Sequence, residues 1–535
     1  MLRRTEQVSV ALIIASVSVA FGTGFSQFNI LKSLLFAVLG TVLALLCALQ
    51  FVAGSRTFRI HRVPFAALLA VVLFAVASLA WAPDRGEGLQ RLGVLLPGAV
   101  LFWSLASSRS RIGTAVFALS ISGFAIAVFV LIDRFAPELI PAIPTGAAPD
   151  AGPGGVFDHA AEAAAYLALA APMGLYWVAR RGSAMRATTV ALLLVSSLVG
   201  YAALGIAGGP GLVLGLTGLV IGAVVGVGHL RQTPRSATVA VAGLLACIFG
   251  LVSAFVVGSE AAEDEPPPLV LAERPFEERS IPQFENQVTS LVEWQFEAAR
   301  VGALLESHLW QGRGAGSWGG VSSRALAQEN QYYLDRLEDP LTHDTPPGAV
   351  LGWPLEQGLI GSALLGFFLL TLLGCVVLGF KATSSREDSG AGFLFGTFLT
   401  AVGLLLLTSA GYRAGTSVAV FAVFGLALNL DRREKGLLAA TFAEAPASTF
   451  GRLERLILVA LPLVALTLVA SVGVTQSALA NFQSQRGKVF MAAGMYEEAI
   501  ESFRAAVDEW PNDPVHEFHL GLAMYLTPID DEARV

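Results

Sequence analysis

The chain has 535 residues, of which 54% are apolar and 14% charged, with a mean hydropathy of +0.65 and a formal charge of −7. Ordinary soluble proteins carry about a quarter charged residues, so a string of soluble domains is excluded, and the acidic balance argues against nucleic acid as a partner. Several uncharged runs reach the roughly 20 apolar residues needed to cross a bilayer, and the alternation of a membrane β-barrel is absent. The expected fold class is all-α, a polytopic membrane protein.

In chain order, apolar runs predict helices at 7–27, 30–53, 63–82, 90–106, 112–133, 159–179, 187–206, 210–230, 236–258, 350–380, 391–411, 414–430 and 454–476, thirteen in all. The first run lacks a small-residue cleavage site and is followed at once by another, so it reads as a retained helix. Basic residues gather before the first run (Arg3, Arg4) and after every second one. They are Arg56, Arg59 and Arg62; Arg109 and Arg111; Arg180, Arg181 and Arg186; Arg231 and Arg235; Lys381 and Arg386; and Arg432, Arg433 and Lys435. The positive-inside rule makes those loops and the N-terminus cytoplasmic. Cys47, Cys247 and Cys375 lie in apolar runs, which suits packing rather than a disulfide or zinc site.

This reading divides the chain into a nine-helix bundle (1–258), an extracytoplasmic loop (259–349), four further membrane helices (350–476) and an extracytoplasmic tail (477–535). The loop opens on a Pro- and acid-rich linker, Glu260 to Pro268, of extended type. In the tail, Gly494, Tyr496, Ala499, Phe503, Ala506, Trp510 and Pro511 fit the spacing of one tetratricopeptide repeat, and Leu520-Gly521 resembles the start of a second. A stack needs about three repeats to bury a core, so the segment reads as an incomplete repeat array that docks a protein partner, or as a spacer.

Candidate chemistry concentrates between Arg300 and Gly361. Arg300 opens an amphipathic run; its guanidinium suits phosphate oxygens, and a surface pair with Glu297 or Glu293 is the plain alternative. Gly312-Arg-Gly-Ala-Gly316 follows no strand, so it is no dinucleotide loop. It reads as a backbone turn whose N–H groups face an anion, with Arg313, Gly314 and Gly316 as binding candidates. His343 precedes re-entry into the membrane and suits a general base or a phosphate contact, unless it merely caps the turn before Pro346. Glu356 opens a membrane helix, where acids are costly unless paired or functional; a place at the interface, where the cost is small, is the plain alternative. Asp158, His159 and Glu162 lack a convincing further ligand, so no metal and no other cofactor is expected.

With these residues the chain resembles the O-antigen ligase/polymerase family of bacterial membrane glycosyltransferases. Three patches carry the resemblance: Arg300 with Gly312-Arg-Gly-Ala-Gly316-Ser-Trp318, His343 with Glu356-Gln-Gly358-Leu-Ile-Gly361, and Gly155-Val-Phe157 with Ala165-Tyr166-Leu167. The resemblance implies a glycosyltransferase C-like fold in the bacterial inner membrane. It implies transfer of an undecaprenyl-diphosphate-linked glycan to a hydroxyl on an acceptor lipid, glycan or protein, as ligase or polymerase, in lipopolysaccharide or exopolysaccharide assembly. Arg300 would bind the diphosphate, and His343 would activate the acceptor or contact the diphosphate.

The chain departs from the family pattern in three places, one of them about four extra residues, two prolines included, between His343 and Glu356. Ala161 stands near the place of a family asparagine, and Gly205 to Gly211 holds no cation where the family has Ser-Arg-Gly. Arg85, Arg91 and Arg413 are expected on the same outer side, where each could replace that cation. The alternative reading is a non-catalytic membrane scaffold acting through the tail. A transporter would call for internal repeats and broken or charged helices at mid-membrane, which the sequence does not display.

Overall fold

The computed structural model describes residues 2–20, 28–52, 59–83, 85–107, 112–136, 156–157, 160–181, 185–227, 308–318, 348–384, 390–429, 442–444, 461–511 and 514–527, single positions between 243 and 253, and Val301, Leu305 and Pro346. The helices in chain order are α1 (Leu2–Val19), α2 (Phe28–Val52), α3 (Arg62–Ser78), α4 (Arg85–Ser107), α5 (Ile112–Phe135), α6 (Ala160–Arg181), α7 (Ala187–Ala207) and α8 (Gly209–Val227). They continue with α9 (Ala349–Ser384), α10 (Ala391–Leu407), α11 (Ala414–Leu428), α12 (Leu461–Ala492), α13 (Tyr496–Glu509) and α14 (Pro514–Leu526). Six of these are long and apolar enough to cross a membrane, and the shorter α3, α8, α10 and α11 are apolar as well. The protein is thus an all-α membrane protein. The one strand pairing among the described residues is a short antiparallel ladder of β1 (Arg59–His61) and β2 (Phe442–Glu444), which joins two stretches expected as loops.

Predicted and observed helices agree closely in the middle of the chain and differ at polar ends. The first starts at Leu2 rather than 7, and α4 starts at Arg85 rather than 90. Hydropathy marks where lipid depth ends, whereas helical hydrogen bonding continues through charged residues. The predicted helix at 236–258 lies largely outside the described residues, although those described between 243 and 253 are helical.

α11 occupies the centre, with every residue from Ala414 to Leu428 buried. Its sequence is apolar on all sides, the signature of a helix with no solvent-facing stripe. Phe424 meets Phe368, Phe398 and Phe421 in tilted or edge-on contacts at 5.7–6.5 Å. Such geometry aligns the positive ring edge with a negative face. α8 and α10 cross with touching backbones: a side chain on Gly218 would reach the Gly396 carbonyl oxygen at 2.7 Å, and one on Gly222 the Gly392 oxygen at 2.9 Å. Close approach over small residues is the usual basis of helix association where lipid supplies no hydrophobic drive.

α12 runs for 32 residues, so the expected boundary at 476 falls inside a continuous helix. Polar Asn481, Gln483, Gln485, Arg486 and Lys488 end the apolar run without ending the helix. Its first half lies along α2 and α4, where the Ser471 hydroxyl donates to the Ala37 carbonyl at 3.0 Å and Gln90 Nε2 donates to the Ser477 hydroxyl. Its second half forms a hairpin with α13, closed by Ala499 and Phe503, with Ala523 of α14 in the same cluster. Trp510, just past α13, sits on the first turn of α4, where a side chain on Gly86 would meet its ring at 2.5 Å.

His516 and His519 of α14 both have pKa values lowered to about 4, first by burial and then by the Lys488 ammonium. His519 also stacks on Phe503 with centroids 5.5 Å apart. A folded-state pKa below the unfolded value near 6.5 means that the unfolded segment binds more protons in that window. The packing of α14 is therefore fully supported above about pH 6.5 and loses support as pH falls toward 4. Hydrogen exchange across 514–526, corrected for intrinsic rates, should be roughly tenfold faster at pH 5 than at pH 7. The double change His516→Gln, His519→Gln should flatten that dependence; equal pH dependence in variant and parent would refute it.

Candidate functional site

The site is built on an interruption in α9. Pro354 brings no N–H to the helical ladder, and Gly358 adopts φ 63° and ψ −167°, outside helical geometry. Peptide groups on both sides therefore lose their helical partners, and at membrane depth such groups need protein partners. The turn at 308–318 supplies them. The N–H groups of Arg313 and Gly314 donate to the Leu355 and Glu356 carbonyls at 2.9 and 2.8 Å, while those of Leu359 and Ile360 donate to the Leu309 and Trp310 carbonyls at 2.9 and 3.1 Å. Gly312 and Gly358 face each other across this joint: a side chain on Gly312 would meet the Glu356 carbonyl at 2.5 Å, and one on Gly358 the Trp310 carbonyl carbon at 2.5 Å. Both positions also have positive φ, of 70° and 63°, which other residues adopt only with strain. Behind the joint Val301, Leu305, Trp318, Leu351 and Leu355 form a small apolar cluster.

The turn does hold an anion, and the anion is its own neighbour. The Gly316 and Trp318 N–H groups donate to the Glu356 carboxylate. The Ala315 N–H donates to the Ser78 hydroxyl at 3.1 Å, as does Gln357 Nε2 at 3.1 Å, and the hydroxyl itself donates to the Ala75 carbonyl. The Gly312 N–H goes to His308 and that of Ser317 to Gly314. The backbone N–H groups from 312 to 318 thus all end on protein acceptors. This differs from the expectation of a turn opening toward an outside anion; Glu356 already occupies that place. The amides of Arg313, Gly314 and Gly316 are engaged in the joint.

One cation meets the joint, and two more lie beyond it. Arg91 Nε lies 3.6 Å from Glu356 Oε1, and its guanidinium sits 5.0 Å from the Tyr412 ring centre. The next residue, Arg413, places Nε 3.3 Å from Glu162 Oε1 with both side chains buried. Beyond it, Ala414 donates its N–H to Asn29 Oδ1 at 3.1 Å. Lys32 of α2 is 1% exposed, donates to the Val156 carbonyl and lies 3.9 Å from the Phe157 ring centre. Three cations and two carboxylates thus line one end of the bundle. Several buried polar atoms there make no hydrogen bond: Ser317 Oγ, Glu356 Oε1, Gln357 Oε1 and the Tyr412 hydroxyl. Native proteins leave few such atoms, and a group of them is accounted for by ordered water, an ion or a ligand.

Of the residues singled out from sequence, Arg313, Gly314, Gly316 and Glu356 come together at the joint. Arg300, His343, Asp158 and His159 lie outside the described residues. Arg91 and Arg413, expected only on the same side, flank Tyr412. Lys32, Ser78, Gln357 and Tyr412 were not anticipated, although Lys32 was legible as a lone cation inside an apolar run. No group of residues able to hold a metal occurs among the described residues. No family model matches the chain, and no curated protein matches it.

The joint predicts unequal tolerance of glycines on one helix. Gly358→Ala combines a positive φ with a backbone collision and should cost about 2 kcal/mol or more, lowering the melting temperature in detergent by several degrees. Gly366→Ala, where nothing lies within 4 Å, should be neutral or slightly stabilising. Equal melting temperatures for the two variants would rule out the joint.

Proposed function

We propose that this protein transfers a glycan from an undecaprenyl-diphosphate carrier to a hydroxyl acceptor at the outer face of the bacterial inner membrane. The observation that carries the reading is the grouping of Arg91, Tyr412 and Arg413 at one end of an apolar bundle, with the Ser317 and Tyr412 hydroxyls as donors that make no hydrogen bond within the protein. A lipid carrier reaches such a place laterally, and its diphosphate is the polar group that would satisfy buried cations and donors together. The thirteen-helix topology, with a cytoplasmic N-terminus and the segment 259–349 outside, belongs to the same proposal, as does the tail read as a tetratricopeptide element for a protein partner. The resemblance to the O-antigen ligase/polymerase family supports it through Arg300, His343 and the Glu356-Gln-Gly358 motif.

In this reaction the acceptor oxygen attacks the anomeric carbon, the bond from that carbon to the carrier diphosphate breaks, and the hydroxyl proton passes to a base, His343. Charge gathers on the leaving diphosphate, where a fixed cation is worth more than in water. Arg91 and Arg413 would supply the positive charge that the stretch Gly205–Gly211 lacks. Their carboxylate partners keep each guanidinium in place and temper its charge, which favours release of the product carrier.

One structural feature favours the scaffold reading instead: Arg91 and Arg413 each face a carboxylate within the protein, an arrangement that stabilises a bundle without substrate. Complementation separates the two. In a strain lacking the gene, Arg91→Ala, Arg300→Ala and His343→Ala should each lower surface glycan transfer by about a hundredfold or more at normal protein level. Full transfer by all three variants, with loss only on removing the tail, would replace the enzyme by the scaffold.

A further inference from the structure

Glu356 lies within the joint, and its surroundings give it a task other than gripping a ligand. Its side chain is 3% exposed, with one oxygen toward Arg91. The carboxylate also receives the Gly316 and Trp318 N–H groups, and its backbone carbonyl receives that of Gly314. The residue is thereby fixed from both its main chain and its side chain. Arg91 has a fixed face as well, lying over the Tyr412 ring while its Nε edge turns to Glu356. A guanidinium held by an aromatic face and by a carboxylate on one edge has a defined plane.

We infer that Glu356 is a positioning residue: held by the 312–318 turn, it sets the plane of Arg91, and Arg91 presents that plane to the diphosphate of the carrier. The inference rests on the proposed function for the identity of the ligand, and on the joint alone for the coupling. It gives the loop a specific part in the site. The turn reaches into the helix break, fixes a carboxylate there and through it aims a cation on another helix, α4. Helix α4 is in turn seated by neighbours at its first residues. A side chain on Gly88 would meet the Ala315 carbonyl at 2.9 Å, and one on Gly316 would meet Glu87 Cβ at 2.7 Å. Close-packed backbones thus hold the start of α4, the helix from which Arg91 extends.

The test uses the full chain in detergent, with undecaprenyl diphosphate as the probe. Binding is measured for the parent, Glu356→Gln, Arg91→Ala and the double variant. Glutamine keeps an acceptor for the two amides and removes the charge. Expected is a loss of roughly tenfold or more for each single variant, with the double variant no weaker than Arg91→Ala alone, because Glu356 acts through Arg91. Losses that multiply in the double variant would overturn the positioning role. A second readout needs no ligand. The rate of phenylglyoxal modification at Arg91, mapped by mass spectrometry, should rise severalfold in Glu356→Gln while that at Arg85 stays unchanged; an unchanged rate at Arg91 would overturn the inference. A parent chain that fails to bind the probe, with the modification rates changing as expected, would remove the carrier as ligand and leave the coupling of Glu356 to Arg91 standing.

Discussion

The exchange of backbone hydrogen bonds between α9 and the 308–318 turn is the constraint on which the site depends. A helix interrupted at Gly358 leaves backbone donors and acceptors that need partners, and only one segment among those described reaches them. Because four bonds run between two main chains, the register of loop on helix is fixed residue by residue. That register places Glu356 under two amides and brings Arg91 beside it. The charges at this end of the bundle are thus a product of backbone geometry before they are a product of side-chain attraction.

Burial at the same end raises the energetic weight of each contact. Glu162 and Arg413, Glu356 and Arg91, and Lys32 over Phe157 all lie among apolar helices. Ions removed from water lose several kcal/mol of solvation each, and their mutual attraction restores only part of that. Groups kept in such places at that cost are more readily explained by function than by stability. The central α11 carries no charge of its own, and Arg413 stands just before its first residue, where the chain leads into the helix. Position along the bundle, more than position in the sequence, decides which cations become neighbours.

Much of the architecture was legible in the sequence, for identifiable reasons. Long uncharged runs marked most of the apolar helices, six of them long enough to cross a membrane, because length against bilayer thickness is a direct physical measure. Helix ends were less legible where charged residues continue a helix beyond lipid depth, as at Arg85 and at Gln483 to Lys488. The break at Gly358 was hidden because Pro354 and Gly358 sit in an apolar run whose hydropathy they hardly change. The Glu356 motif and the Gly312–Gly316 turn were each visible, but their pairing was not. Loop register against a distant helix leaves no periodicity in either segment. Arg91 and Arg413 were legible only as cations on one side, since what joins them is Tyr412 and the tertiary packing around it.

The unbroken course of α12 has a mechanical meaning. A single rigid rod passes from its contacts with α2 and α4 into the hairpin that carries α13 and α14, and Trp510 returns from the far end of that hairpin to rest on Gly86. Rod and ring together make a closed truss with α4 as its shared strut. A pull or twist applied to the hairpin is therefore borne by α4 rather than absorbed by a hinge. The load arrives about one and a half turns from Arg91.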